Sequence, residues 1–457
     1  MVPHFINRKA EMNFLENIYN ENSFNVVVLY GRRRVGKTEL IRQFLKNKKS
    51  VYFLATDESM NENLKELKRL FAELTGKDYL LKIDTGFFDL FRYLNDEIKD
   101  ERIVIAIDEF PYLLNLNKGV LSTFQKIIDE ELKDTKITFL ITGSSMGIME
   151  NDVLGYKSPL YGRDLNIWKV NPFHFKDIYM WFKNLDKALE AYFIFGNIPY
   201  YLKFFDPTKS IEHNIRENIL TKGRNLYDEP LILLRQEFRE SRVYTAILKY
   251  ISLGYTSMGK LCSATGLDKS NISKYLSSLE ETHIIRHIVP IGMKRNGIYD
   301  ITDPFIRFWF RFVYPRRNDL ELGNIEDVMD NITKDLSMYI GHIFENLCEE
   351  FLRTKLIKEF ENYNSTGRWW HKDKEIDIIA LNDQTKEILF VECKWKENVN
   401  PEQILAELKE KSKYVQWNNE DRKESFCIIA KSFKKKPDKK ECLCYDLKDL
   451  EKVFISQ

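Results

Sequence analysis

Gly31-Arg32-Arg33-Arg34-Val35-Gly36-Lys37-Thr38-Glu39 follows a β-rich run at residues 24–30 and opens a helix-like pattern at 39–47. Its spacing is that of a phosphate-binding loop, Gly-x4-Gly-Lys-Thr, in the strand-then-helix setting such a loop needs. The chemistry explains the residue types. Gly31 and Gly36 permit backbone angles that residues with a Cβ avoid. The loop's N–H groups and the helix N-terminus then face the phosphates of a ligand. Lys37 would reach the β- and γ-phosphates, and the Thr38 hydroxyl would ligate Mg²⁺. Residues 31–39 are therefore the candidate nucleotide-binding segment.

An apolar run at 103–107 ends in Asp108 and Glu109. Asp108 would hold the Mg²⁺, directly or through water, and Glu109 is placed to polarise a water for attack on the γ-phosphate. That pairing favours hydrolysis over passive binding. A further apolar run, 137–141, ends in Thr142-Gly143-Ser144-Ser145, small hydroxyl residues suited to a polar sensor. Arg163 is the candidate arginine for transition-state charge, from the same or a neighbouring subunit. An arginine acting in trans would imply a homo-oligomer or a protein partner. Strand-like runs at 24–30, 51–55, 103–107 and 137–141 alternate with helical patterns at 39–47, 60–74, 87–98 and 120–132. That alternation predicts an α/β domain with a parallel sheet covered on both faces.

Three segments carry a resemblance: 31–38, Ile107-Asp108-Glu109-Phe110-Pro111-Tyr112-Leu113, and Thr142-Gly143-Ser144-Ser145. Together they resemble the archaeal ATPase family of STAND-type P-loop proteins. Phe5-Ile6-Asn7-Arg8-Lys9-Ala10-Glu11 resembles that family's N-terminal motif beside the adenine, with Lys9 where an acidic residue is usual. Phe195-Gly196-Asn197-Ile198-Pro199 resembles its Gly-Gly-x-Pro motif, with Asn197 replacing the second glycine. The resemblance implies ATP, Mg²⁺ and a nucleotide-controlled conformational change, and it covers the whole chain.

Composition bounds the rest. At about 150 residues per domain, 457 residues suggest roughly three domains. Lys and Arg number 70 against 69 Asp and Glu, so any nucleic-acid surface must be a local patch. No run approaches the ~18 apolar residues of a membrane span, so no membrane partner is expected. The N-terminus shows no charged-then-apolar leader. Six cysteines without a Cys-x-x-Cys pair do not read as a disulfide framework. A cytoplasmic protein is expected. The lysine-rich stretch 434–440 reads as a solvated loop.

Residues 241–320 hold helical patterns at 241–250, 257–265 and 269–280, then β-like runs at 284–291 and 298–301 around a turn at 292–297. This is the order of a winged helix-turn-helix. The third helix offers Lys269, Ser270, Asn271, Ser273 and Lys274 to phosphates and base edges. Across 241–320 there are 12 Lys and Arg against 6 Asp and Glu, which makes DNA the expected partner. The aromatic stretch 299–314 reads as a packed helix, and His283 and His287 as ordinary residues rather than metal ligands.

The C-terminal region pairs a strand at 374–381 with another at 387–395 around a turn at 382–385. Glu392 and Lys394, two apart, share a face. If the strands form a hairpin, Asp377 comes near Glu392, and the two carboxylates would bind Mg²⁺ or Mn²⁺ through oxygen. Lys394 would orient or deprotonate the attacking water, or stabilise the developing charge. Glu345, on a helix upstream, could add a carboxylate, although Glu349 lies one turn on. Asp377 followed by Glu392-Cys393-Lys394 resembles the PD-(D/E)XK nuclease superfamily. Arg368-Trp369-Trp370 and Val391-Glu392-Cys393-Lys394-Trp395 resemble the form fused to archaeal ATPases. Cys442 and Cys444 lack partners for a metal site.

The expected architecture is a P-loop NTPase domain (1–170), a helical lid (171–240), a winged helix-turn-helix (241–325) and a small α/β restriction-endonuclease-like domain (326–457). The expected function is ATP hydrolysis coupled to DNA binding and Mg²⁺-dependent DNA cleavage. The alternative is an ATP-driven regulatory switch or DNA-binding scaffold whose nuclease-like domain is inactive.

Overall fold

Asn25–Tyr30 (β1) buries Val26, Val27, Val28 and Leu29 in succession, so both faces of this strand are covered. It belongs, in the computed structural model, to a unit spanning residues 1–172; residues 173–457 form a second unit. The structure describes residues 6–98, 101–293, 295–439 and 441–455. Phe5 of the N-terminal motif, Lys294 of the expected wing turn and Lys440 of the lysine-rich stretch lie outside the described residues.

In the first unit Ser50–Leu54 (β2), Ile103–Asp108 (β3), Ile137–Gly143 (β4) and Leu165–Lys169 (β5) join β1. The order is β2-β3-β4-β1-β5, with every neighbouring pair parallel. Every residue of β3 and β4 is buried, as a central parallel strand requires. Phe91, Phe110, Phe124 and Phe139 fill one layer of the core, with Phe124 stacked on Phe139 at 5.8 Å. The expected strands and helices are present. Residues 120–132 differ in form: an α-helix, Val120–Lys126, passes into a π-helical turn, Ile127–Leu132. The helix Lys9–Asn20 and β5 were not foreseen. β5 is an edge strand, partly exposed along its length, so it carries neither an apolar run nor an alternation.

The second unit opens with five α-helices, Phe175–Phe182, Leu185–Phe195, Pro199–Leu202, Ile211–Ile215 and Glu229–Glu237, with a π-helical turn, Arg216–Leu220, after the fourth. Ser241–Ser252, Met258–Thr265 and Lys269–Glu281 follow, then an antiparallel pair, Ile285–Ile288 (β6) and Ile298–Ile301 (β7). The boundary signals are local. Ser257 and Asp268 accept the backbone N–H of Lys260 and Asn271, capping the second and third of these helices. Gly266 ends the second in the left-handed conformation. The first β-like run is shorter than expected because Ile291 leaves the pair and donates its N–H to Arg368 instead. Residues 299–314 are packed as expected: Phe305, Phe308, Trp309 and Phe310 are fully buried. His287 stacks on Tyr299 at 4.7 Å, an ordinary packing role.

A helix of 29 residues, Ile325–Arg353, leads to Ser365–His371 (β8), Lys374–Asn382 (β9), Glu387–Lys394 (β10), Lys423–Ala430 (β11) and Leu443–Tyr445 (β12). The order is β12-β11-β10-β9-β8. β8, β9 and β10 pair antiparallel, while β10, β11 and β12 pair parallel. A parallel step needs a crossover, and the helix Pro401–Ser412 supplies it between β10 and β11. Lys436 of the lysine-rich stretch is an anchor rather than a solvated side chain, since it pairs with Asp446 at 2.8 Å and with Asp449.

A buried polar network ties the β6–β7 pair to the long helix. Arg307 pairs with Asp300 of β7. Arg286 of β6 donates to Asn346 at 2.6 Å and Glu349 at 3.2 Å. Arg368 of β8 also reaches Asn346, at 3.3 Å. Burial, reinforced by neighbouring arginines, pushes the Arg307 guanidinium below its ordinary value.

Candidate functional site

The loop after β1 is shaped by two glycines needed for different reasons. A Cβ on Gly31 would sit 2.3 Å from the Val170 carbonyl oxygen, so no side chain fits there. Gly36 has φ +94°, a conformation that favours glycine, and the helix Lys37–Leu45 begins directly after it. Lys37 is buried and folds back over the loop, donating to the carbonyls of Gly31 at 2.7 Å and Arg32 at 3.2 Å. Arg8 donates to the Val35 carbonyl at 2.9 Å and to that of Asn171 at 2.9 Å. The N-terminal motif thus braces the loop backbone.

Asp108 ends β3, adjacent to β4, which itself pairs with β1. Its Oδ2 accepts the Thr38 hydroxyl at 2.9 Å and the Tyr52 hydroxyl at 2.7 Å. Its Oδ1 accepts the Glu109 N–H at 3.0 Å. Burial and the adjacent Asp108 carboxylate raise the Tyr52 phenol well above its ordinary value, so it stays a donor. Glu109 has φ +55°, an uncommon conformation for a residue with a side chain. Its Oε2 accepts the Ser144 hydroxyl at 2.7 Å and the Ser144 N–H at 3.1 Å. The expected acid and the hydroxyl strand end are therefore brought together. Thr142, opposite Leu29 in the β1–β4 register, is buried and its hydroxyl has no hydrogen-bond partner among the described residues. A buried polar atom at the loop, with Thr38 and Asp108 already in contact, fits a Mg²⁺-nucleotide.

Arg163 stands apart from this group. It makes a bidentate pair with Asp129, at 2.9 and 2.6 Å, and also donates to the Pro159 carbonyl. That bond holds the Asp129 carboxyl below its usual range.

In the C-terminal sheet the pairs Glu387–Asn382 through Val391–Ile378 set the register, which carried one residue on puts Asp377 opposite Glu392. Both are buried. Asp377 accepts the Cys393 N–H at 2.7 Å. Glu392 accepts Lys394 at 2.8 Å and Lys411, from the crossover helix, at 3.0 Å. Glu345 pairs with Arg368 at 2.8 Å and feels the charge of Asp377, while Glu349 turns to Arg286 and Arg353. Burial, then the Asp377 charge, raises the Glu345 carboxyl; burial, then the Glu392 charge, raises Asp377. Like charges gathered out of water are what a cation would relieve, and the oxygen donors suit Mg²⁺ or Mn²⁺. Among the described residues, however, no group of three or more His, Cys, Asp or Glu side chains is arranged to hold a metal ion. The counter-charges here are lysine and arginine.

On the third helix of the 241–301 segment, Lys269, Ser270, Ser273, Lys274, Ser277, Ser278 and Glu281 line an open concavity of about 860 Å³. Asn271, also expected on this face, instead donates to Asp268 at 2.5 Å at the helix N-terminus.

Tyr52 and Lys411 were missed. Tyr52 lies in a run foreseen as a strand, but only the β2–β3 pairing brings its hydroxyl to Asp108. Lys411 lies in a helix without a motif, and its neighbours in sequence, Lys409 and Lys413, are equally charged. No sequence signal singles it out.

Comparison with known proteins finds two family matches along the chain. A family described as "ATPase domain predominantly from Archaea" matches residues 5–204, and one described as "Archaea bacterial proteins of unknown function" matches residues 309–412. The uncharacterized protein MJECL04 of Methanocaldococcus jannaschii is 35% identical, over 97% of this chain and 99% of its own. The uncharacterized ATP-binding protein MJ0423 of the same organism is 64% identical over 45 residues, 10% of this chain and 76% of its own. Among solved structures, the Walker-type ATPase PABY2304 of Pyrococcus abyssi shares the fold, with a TM-score of 0.53 and 22% identity over 67% of this chain and 96% of that one. Among the described residues no helix is long and apolar enough to cross a membrane.

Proposed function

We propose that this chain, which belongs to the family of MJECL04 and carries a domain matching the ATPase domain found predominantly in Archaea, binds and hydrolyses ATP and uses the nucleotide to control DNA binding and metal-dependent DNA cleavage. The observation that carries the ATPase reading is the 2.9 Å hydrogen bond from Thr38 to Asp108, which joins the loop to the end of β3 where Mg²⁺ would be held. In this reading Lys37 leaves the loop carbonyls to meet the β- and γ-phosphates. Glu109 orients the attacking water and takes its proton, and Ser144 holds the Glu109 carboxylate in place. Bound Mg²⁺ would neutralise charge on the phosphate oxygens. Arg163 would take part only after leaving Asp129, in the same or a neighbouring subunit of a homo-oligomer.

We read residues 171–240 as a lid, 241–325 as a winged helix and 326–457 as a PD-(D/E)XK nuclease-like domain. DNA would meet Lys269, Ser273 and Lys274 on the third helix. Asp377, Glu392 and Glu345 would hold Mg²⁺ or Mn²⁺ only after drawing closer, with Glu392 released from Lys394 and Lys411, and Lys394 would then serve the phosphate and the attacking water. One observation favours a second reading. Glu392 is already held by Lys394 and Lys411, as a structural ion pair would be. A chain with that pairing in every state would be an ATP-driven switch or DNA scaffold without cleavage.

The test combines ATP turnover with cleavage of labelled single-stranded, duplex and branched DNA, with and without Mg²⁺ or Mn²⁺. Lys37→Ala is expected to abolish turnover; unchanged turnover would sink the ATPase assignment. Metal-dependent cleavage lost in Glu392→Ala/Lys394→Ala supports the nuclease. Salt-dependent DNA binding without cleavage would leave the scaffold.

A further inference from the structure

Asp108 is held by more than the loop threonine. Its two carboxylate oxygens receive three donors from three places: Thr38 at the start of the helix after the loop, Tyr52 on β2, and the Glu109 N–H. A carboxylate turns easily about its terminal bond, which has a broad, roughly two-fold torsional profile. The Thr38 bond alone would leave it free to swing about that contact. Tyr52 approaches the same Oδ2 from the neighbouring strand, and the Glu109 N–H engages Oδ1, so the plane of the group is set. The Tyr52 backbone is held in register, because β2 is paired with β3 from Ser50 opposite Val104 through Leu54 opposite Asp108.

We propose that Tyr52 is a positioning residue of the ATP site, whose hydroxyl fixes the Asp108 carboxylate in the orientation that receives Thr38 and the Mg²⁺ of the nucleotide. The inference rests on the ATPase reading and adds a residue to it. The three donors leave Asp108 one acceptor position to spare, on Oδ1, since an ionised carboxylate offers about four. Thr38 can offer a lone pair of its oxygen to a cation while its hydroxyl still donates to Asp108, and Tyr52 keeps Oδ2 from following the threonine. Partners that orient a metal ligand in this way matter nearly as much as the ligand, and removing one typically costs roughly 10–100-fold in metal affinity or activity.

The experiment is Tyr52→Phe in the full chain, which keeps the ring and deletes only the hydroxyl. Mn²⁺ binding is titrated by electron paramagnetic resonance in the presence of a non-hydrolysable ATP analogue, and the Mg²⁺ dependence of ATP turnover is measured beside it. Expected is a metal affinity roughly 10-fold or more below wild type, with metal-free nucleotide affinity and Tm unchanged. Unchanged Mn²⁺ and Mg²⁺ titrations in a normally active background overturn the inference alone. A fall in Tm matched by a loss of metal-free nucleotide binding also overturns it, because Tyr52 would then be a packing residue. A wild-type chain that neither binds nor turns over the metal–nucleotide overturns the ATPase reading, and the role of Tyr52 with it.

Discussion

Gly31→Ala adds one methyl group at the point where the loop leaves the sheet, and the cost follows from the neighbours. The new Cβ would lie 2.3 Å from the Val170 carbonyl oxygen and 3.2 Å from its carbon. The first distance is more than roughly 1 Å short of ordinary contact. The obstacle is backbone, and that backbone is tied down, because Val170 donates its N–H to Tyr30 at 2.7 Å. To clear the methyl group that bond must break, at about 1 kcal/mol, and the end of β5 must shift against its packing, at about 1–3 kcal/mol. Together the loss is about 2–4 kcal/mol in the first unit. Gly36→Ala is the comparison: nothing lies within 4 Å of its Cβ, and only the positive φ is penalised, at about 1–2 kcal/mol. Urea unfolding gives the free energies, and native-state hydrogen exchange at the Val170 amide locates the damage. Gly31→Ala should be the worse of the two, with faster exchange at Val170 and weaker nucleotide binding. Wild-type stability with a protected Val170 amide would refute the steric argument.

Two further outcomes test the electrostatics. Arg307→Ala leaves Asp300 buried with only the longer contacts to Arg286 and His342, and should cost about 3–5 kcal/mol in denaturant unfolding. Asp300→Leu/Arg307→Met should recover most of it, and a single variant losing under about 1 kcal/mol would show the pair to be dispensable. Asp129 is held below its usual range by Arg163, so its contribution is present above the unfolded carboxyl's pKa of about 3.9. It is lost as pH falls through the lower, folded value. Both side chains are partly exposed, at 25% and 42%, so Asp129→Asn should cost no more than about 1 kcal/mol near neutral pH. Its unfolding curve should meet that of wild type in strong acid, and a difference that persisted there would point to packing instead of charge.

The nucleotide site was legible because its residues are consecutive and their spacing is the chemistry. Gly31, Gly36, Lys37 and Thr38 act through one loop, and the apolar runs before Asp108 and Thr142 mark buried parallel strands. β5 was not legible because an edge strand needs no continuous apolar face. Tyr52 and Lys411 were not legible because each acts across a strand or helix pairing that local sequence does not encode. Arg163 could be named as a candidate from its sequence context, but its tie to Asp129, 34 residues away, is visible only in the fold. At the C-terminal cluster the register between Asp377 and Glu392 followed from alternation and turn length. The cationic company of those carboxylates did not, since it comes from a helix and a strand whose positions depend on the whole sheet.

The buried network around Asp300 also bears on how such chains are cut and recombined. Arg286 and Arg307 precede residue 325, whereas Asn346, Glu349 and Arg368 follow it. A fragment begun at 326 would keep two of the acceptors and lose the guanidinium groups of Arg286 and Arg307; a fragment ended there would strand Arg286 in reverse. Exchanging C-terminal regions between relatives would then succeed only when the β6–β7 pair travels with them. What looks in sequence like a chain of separable modules has, along this seam, a shared unit of inheritance.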